Sequence, residues 1–254
     1  MIDTHSHIYS EEFDADRAEV IQRAKDAGIT QIILPNIDSE SMPRMLALEA
    51  EYPDFCHAAI GLHPTSVKSD YESELMIVES ELGKRKYVAI GEIGIDLYWD
   101  NTFLKEQIKV FQKQLSWALK YDFPVIIHVR NSFKETMEIL APLKGSKLRG
   151  VFHSFSGSQE EANEILSYGG FKLGINGIVT FKNSGLSETL KSIDLKNIIL
   201  ETDAPYLTPV PYRGKRNESA YVQYVCKKLA DIYNLNVSQV SEITTQNALD
   251  LFKI

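Results

Sequence analysis

Pro124-Val125-Ile126-Ile127-His128-Val129 (PVIIHV, residues 124–129) is apolar except for its histidine, and stretches with helical periodicity flank it at 102–121 and 132–143. A strand that is greasy on both faces belongs in a parallel sheet covered by helices on either side. VAIGEI (88–93) and NIILETD (197–203) have the same character. Working outward in both directions, strand-like runs fall at 1–5, 30–35, 55–62, 87–92, 124–129, 148–154, 171–175 and 197–202. Helical stretches fill the gaps at 11–27, 40–52, 70–84, 102–121, 132–143, 158–168 and 185–192, and two more follow at 216–233 and 238–251. Asn101 or Thr102 is placed to cap the fourth helix and Ser158 the sixth. Eight βα units, with no G-x-G-x-x-G after the first run, predict an α/β protein of the closed (β/α)8 TIM-barrel type rather than an open dinucleotide-binding sheet. Residues 1–254 are read as a single domain.

The composition is that of a soluble globular chain, with 44% hydrophobic and 24% charged residues. No signal-peptide pattern or membrane-length apolar run is visible, so the expected location is cytoplasmic, with no membrane partner. Cys56 and Cys226 form no C-x-x-C pair and are expected to be reduced thiols in packed elements. A net charge of −8 disfavours broad electrostatic capture of nucleic acid. It leaves room for local phosphate binding, because bound divalent cations reverse the sign of the field at a site. No exposed apolar strip is evident, so a monomer without an obligate protein partner is the default.

Once the strands are placed, histidines and carboxylates gather at one end of them. His5 and His7 follow strand one, His63 follows strand three and Glu92 ends strand four. His128 ends strand five, His153 strand six and Asp203 strand eight. The carboxyl ends of parallel barrel strands share one face, so these residues converge there. A lone histidine on an apolar strand is more often a hydrogen-bonded core residue, and His57, near the start of strand three, is read that way. The set as a whole is read as a metal centre. Four imidazoles and two carboxylates exceed one tetrahedral ion and suit two cations sharing a carboxylate. His5, His7 and Asp203 would hold the first ion and His128 with His153 the second, with Glu92 as the bridge. Mg, Mn or Zn is expected, Mg being the least typical partner for so many imidazoles.

MIDTHSHI, AIGLHP, GEIGIDLYW, PVIIHVR, FHSFSG, ETDAPYLTP, PYRGKRNE and TTQNALDLF together resemble the TatD family of metal-dependent deoxyribonucleases, from the first strand to the last helix. The resemblance implies a (β/α)8 barrel of the metallo-dependent hydrolase superfamily that cleaves phosphodiester bonds of DNA, often as a 3′–5′ exonuclease. It carries the metal positions onto His5, His7, Glu92, His128, His153 and Asp203. It places His63 against the substrate phosphate, and Glu201, which shares strand parity with Asp203, is read as a support for the ligands in preference to a holder of an extra cation. Two departures stand out: Asn131 follows HVR where an acidic residue is frequent, and Ser219 follows RGKRNE where proline is frequent. The first bears on how Arg130 is oriented.

Chemically, metal-activated water would attack phosphorus, with Asp203 as candidate general base and Glu92 bridging the pair. Arg130, or Arg213 and Arg216 of the RGKR loop, would hold non-bridging oxygens, since guanidinium forks match phosphate. The alternative for the loop arginines is a solvated surface patch. Tyr98 and Tyr206 are candidates for stacking on bases, and Trp99 is expected to pack beneath its loop. A second reading keeps the barrel and makes the substrate an amide, lactone or amine, as in amidohydrolase-type relatives. Many of those carry a carboxylated lysine where Glu92 stands, which favours the phosphodiester. A non-catalytic metal-dependent binding protein is a third reading, disfavoured by the complete ligand set.

Overall fold

In the computed structural model, which describes residues 1–254, strands and helices alternate along the whole chain. The strands are β1 (Ile2–Asp3), β2 (Gln31–Pro35), β3 (Cys56–Ala59), β4 (Ile90–Asp96), β5 (Val125–Arg130), β6 (Gly150–Phe152), β7 (Phe171–Ile175) and β8 (Ile198–Leu200). The helices between and after them are α1 (Arg17–Asp26), α2 (Met42–Glu51), α3 (Tyr71–Leu82), α4 (Leu104–Tyr121), α5 (Phe133–Leu140), α6 (Gln159–Leu166), α7 (Leu186–Leu190) and α8 (Val222–Tyr233). A further helix, α9 (Val237–Phe252), ends the fold.

All strand pairs are parallel and follow chain order, β1 to β3 in one ladder and β4 to β8 in another. Two narrow seams join the ladders into a ring. At one, Ile60 bridges Ile90, and at the other Ser6 bridges Ala204. Strands one and eight are shorter as regular elements than their apolar runs predict, because the backbone beyond them leaves the ladder to aim side chains inward. Pairing nevertheless continues across that seam: Thr4 N–H donates to Leu200 O (3.0 Å), Asp203 N–H to His5 O (2.9 Å) and His7 N–H to Ala204 O (2.8 Å). The fold is therefore the (β/α)8 barrel.

The apolar side chains divide as a barrel requires. A large cluster lies between the strands and the helical shell, and a smaller one collects Ile2, Ile33, Ala59, Ala89, Ile126, Val151 and Ile199 with Ala248, Leu251 and Phe252 of α9. The second cluster fills the barrel interior. Because α9 meets Ile2 at the start of β1, it stoppers the end of the barrel opposite the strand C-termini. No helix is long and apolar enough to cross a membrane. Cys56 and Cys226 are buried free thiols.

Three shifts of boundary bear on the site and its approach. Strand four runs to Asp96, so Glu92 lies in its first half rather than at its end. The strand is irregular there, with a register shift against β5 between Ile90 and Ile93 and a cis Gly91–Glu92 peptide. Buried Asn36 brackets this stretch: its N–H donates to Gly91 O, its carbonyl accepts from Glu92 N–H, and its amide donates to Gly61 O. Helix α4 begins at Leu104 after Phe103, with no side-chain cap from Asn101 or Thr102, whereas Ser158 does cap α6 in a reciprocal capping box with Glu161. Residues 201–218 form a long loop over the barrel mouth, and α8 starts only at Val222.

Candidate metal centre

Glu92 stands at the middle of the cluster, almost fully buried, with its two oxygens turned to different neighbours. Oε2 lies 3.1 Å from His5 Nε2 and 3.7 Å from His7 Nε2. Oε1 lies 2.8 Å from His128 Nδ1, 3.3 Å from His63 Nε2 and 3.9 Å from His153 Nε2. Asp203 Oδ1 approaches His5 and His7 at 3.7 Å and His153 at 3.6 Å. All six sequence-predicted ligands are thus gathered at the C-terminal mouth, with His63 among them.

Their grouping differs from the expected division. His5, His7 and Asp203 form one possible ligand triad, but His153 joins His5 and Glu92, and His63 rather than His153 accompanies Glu92 and His128. The reason is ring packing: His153 stacks on His5 with centroids 3.4 Å apart, whereas His63 meets His128 edge-on at 4.6 Å.

Several imidazoles have their tautomer set from behind. Tyr9 O–H donates to Pro35 O (2.6 Å), so its oxygen is left to accept from His7 Nδ1–H (2.9 Å), which frees the Nε2 lone pair for the centre. His153 Nδ1 faces Glu201 Oε1 at 3.0 Å, which likewise turns Nε2 inward. His63 is held the other way. Its Nδ1 accepts from Thr65 N–H (3.1 Å), so the neutral ring carries its proton on Nε2 and presents a donor, not a lone pair, to the cavity.

Glu201 is fully buried and also accepts from Ser154 N–H (2.7 Å). Gly174 on β7 makes room for it, since a Cβ there would collide with the Glu201 carboxylate. Gly174→Ala is accordingly expected to cost ~1–3 kcal/mol through overpacking and to weaken divalent-metal binding together with it. Thermal melting and a calorimetric metal titration of the variant check both.

Charge is concentrated here. Burial drives His7 down to about 4 and His5 well below its ordinary value, so both rings are neutral. Burial also opposes protonation of His153, but Glu201, Asp203 and Glu92 outweigh it and push that ring up to about 10. His128 is raised too, burial being overcome by Asp96 and Glu92. Burial together with the neighbouring carboxylates lifts Asp203 to about 7. Buried carboxylates here draw positive charge, which protons on His128 and His153 supply. Divalent cations would replace those protons. The spacings fit the same conclusion: ligand atoms about 2.1 Å from a tetrahedral ion sit about 3.4 Å apart, and the contacts around His5, His7, Glu92, Asp203 and His153 run from 3.1 to 3.9 Å. Residues and chemistry both suit divalent metal.

A cavity of ≈ 580 Å³ opens above the cluster, lined by His7, His63, Glu92, His128, His153 and Asp203 at its floor and by Arg130, Trp99, Tyr206 and Leu207 higher up. Arg130 therefore lines the cavity, and the left-handed backbone at Asn131 (φ 54°) turns the chain immediately after it. Tyr206 also lines it and is 56% exposed. Tyr98 stands behind Arg130, outside the lining, with the guanidinium 3.9 Å from its ring centroid. Trp99, expected to pack, is instead 69% exposed and faces the cavity. Arg213 and Arg216 do not reach the cavity. Arg213 lies over the Phe181 ring, and Arg216 is engaged by Asp16 at 2.7 Å and lies over Phe13. Ser219 Oγ donates to Ser6 Oγ, tying the α8 approach to the first strand.

Two residues of this centre escaped the sequence reading. Asp96, the last residue of β4, places Oδ2 2.8 Å from His128 Nε2, and Asn36 brackets Glu92. Asp96 has a signal in hindsight, a buried-strand carboxylate four residues after Glu92. Asn36 has none.

The family model described as TatD related DNase matches residues 2–253. The metal-dependent hydrolase YabD of Bacillus subtilis is 38% identical over 255 residues, covering 100% of this chain and 99% of the relative. A Pectobacterium parmentieri protein named 3′-5′ ssDNA/RNA exonuclease TatD is 30% identical, with 100% of each chain covered. The crystal structure of the TatD homologue YjjV of Escherichia coli superposes with a TM-score of 0.93 at 31% identity, covering 100% of this chain and 98% of that one.

Proposed function

Because this chain belongs to the TatD-related DNase family of metal-dependent hydrolases, we propose that it hydrolyses phosphodiester bonds of DNA, from the 3′ end, at a binuclear centre. The observation that carries the reading is the double-faced Glu92, whose Oε2 serves the His5–His7 side and whose Oε1 serves the His63–His128–His153 side. That placement suits a bridge between two cations. His5, His7 and Asp203 would hold one ion and His128 the other, with Glu92 shared, and His153, stacked on His5, would stand between the two sides. Bound divalent ions would supply Lewis acidity at phosphorus and lower the pKa of water at the site.

The chain's own residues supply the rest. Asp203, which lines the cavity with Oδ1 3.6–3.7 Å from His5, His7 and His153, is placed to take a proton from the attacking water. Arg130 lines the cavity where non-bridging phosphate oxygens would lie, and Tyr98 behind it steadies the guanidinium. His63, with its Nε2 proton fixed by Thr65, is a hydrogen-bond donor towards the same oxygens. Glu201 and Asp96 keep His153 and His128 turned inward.

The test is direct. Purified protein with Mn or Mg should shorten a single-stranded oligonucleotide from its 3′ end, and a chelator should stop it. Protein that leaves DNA intact across metals yet opens a lactone or cleaves an amide sinks this reading.

A further inference from the structure

Trp99 is the most exposed large aromatic of the chain, yet it stands at a cavity wall rather than on an open surface. The other tryptophan, Trp117, is 2% exposed in the core. Tyr98 packs edge-on against Trp99, with centroids 5.0 Å apart and planes at 87°. Arg130 completes the assembly, its guanidinium 5.2 Å from the Trp99 ring and 3.9 Å from that of Tyr98.

The loop that carries the pair is anchored to the metal centre itself. Asp96 Oδ1 accepts from Tyr98 N–H (2.9 Å) and Trp99 N–H (3.2 Å), and Oδ2 of the same carboxylate faces His128 Nε2 (2.8 Å). One side chain thus sets the position of the indole relative to a candidate metal ligand.

We propose that Trp99 is a base-stacking residue that holds an unpaired nucleobase next to the phosphate being cleaved, and so sets the preference of the enzyme for frayed or single-stranded ends. The inference rests on the phosphodiester reading above. An indole face beside a guanidinium matches a nucleotide, with one π-surface for the base and one cation for the phosphate. A base inside a duplex has both faces covered by its neighbours and cannot use the indole. Stacking tolerates any base, because every base has a π-face.

Two measurements on the full chain with Mn test this. Because Trp117 is buried, intrinsic fluorescence reports Trp99 to any ligand that stacks. Titration with dAMP is expected to quench wild-type emission well beyond the effect of 2-deoxyribose 5-phosphate, and the difference should vanish in Trp99→Phe. In hydrolysis, a single strand with an ordinary 3′-terminal nucleotide should be favoured over one with an abasic 3′ terminus by about tenfold in kcat/KM, chiefly through KM. Trp99→Ala should collapse that ratio towards one, and Trp99→Phe should restore most of it. If the wild type degrades both strands but the ratio survives in Trp99→Ala, or dAMP quenches no more than the sugar phosphate, base stacking is overturned while the phosphodiester reading stands. If the wild type leaves both strands intact, that reading falls and this inference with it.

Discussion

Asp203→Asn is expected to reduce kcat on a DNA phosphodiester by on the order of 10²–10⁴-fold, the range for loss of a positioned general base. Asparagine is the substitution that isolates chemistry from folding at this position. Asp203 has left-handed backbone (φ 59°), where asparagine is among the few non-glycine residues readily accommodated. Its amide keeps the volume and one acceptor near His5 and His7, but it cannot accept a proton. Melting temperature of the metal-free protein should therefore be nearly unchanged while turnover collapses, as judged by steady-state hydrolysis of an oligonucleotide in Mn. Full activity in the variant would assign the base to another residue.

Glu201→Ala is expected to act on stability instead. Glu201 is fully buried against His153, with Ser154 N–H and Asn176 as further donors. Its removal leaves the Ser154 N–H without its acceptor and His153 without its partner, while Asn176 keeps its bond to Ser154 Oγ. Breaking a buried ionic contact from one side costs ~3–5 kcal/mol, which for a chain of this length lowers Tm by roughly 10 °C. Glu201→Gln, which keeps an acceptor, should lose much less stability but weaken metal binding by about 10–100-fold, because His153 is then turned inward less firmly. Equal melting temperatures for Glu201→Ala and the wild type would refute the role assigned to this carboxylate. Denaturant melts and metal titration of the two variants separate the contributions.

The repeating period of apolar runs and helices was enough to place all eight strands, because a parallel barrel strand is buried on both faces and carries an unmistakable composition. Strand ends were harder. Backbone pairing continues past Asp3 and Leu200 through polar residues that no longer form regular ladder, and β4 carries its register shift through Gly91, where composition looks uniform. The gathering of the histidines was legible because His63, His128 and His153 each end an apolar run and His5 and His7 share one strand face. How they divide was not, since the stacking of His153 on His5 depends on side-chain directions that spacing does not encode. Trp99 departs from its expected packing for a related reason. Loop aromatics usually pack, and nothing in LYWD shows that Asp96 would hold this one at the cavity wall. Arg216 is the converse, a basic loop residue drawn away to Asp16 on the approach to α1.

The β8–β1 seam joins residues nearly two hundred positions apart, and only a narrow set of backbone hydrogen bonds spans it. His5 and His7 lie on one side of it and Asp203 on the other. Any ion gripped by these three is therefore a clasp between the beginning and the end of the chain. Its binding energy adds to the stability of ring closure by mass action, and one of the two narrow joints of the barrel coincides with the place where the metal would pull hardest.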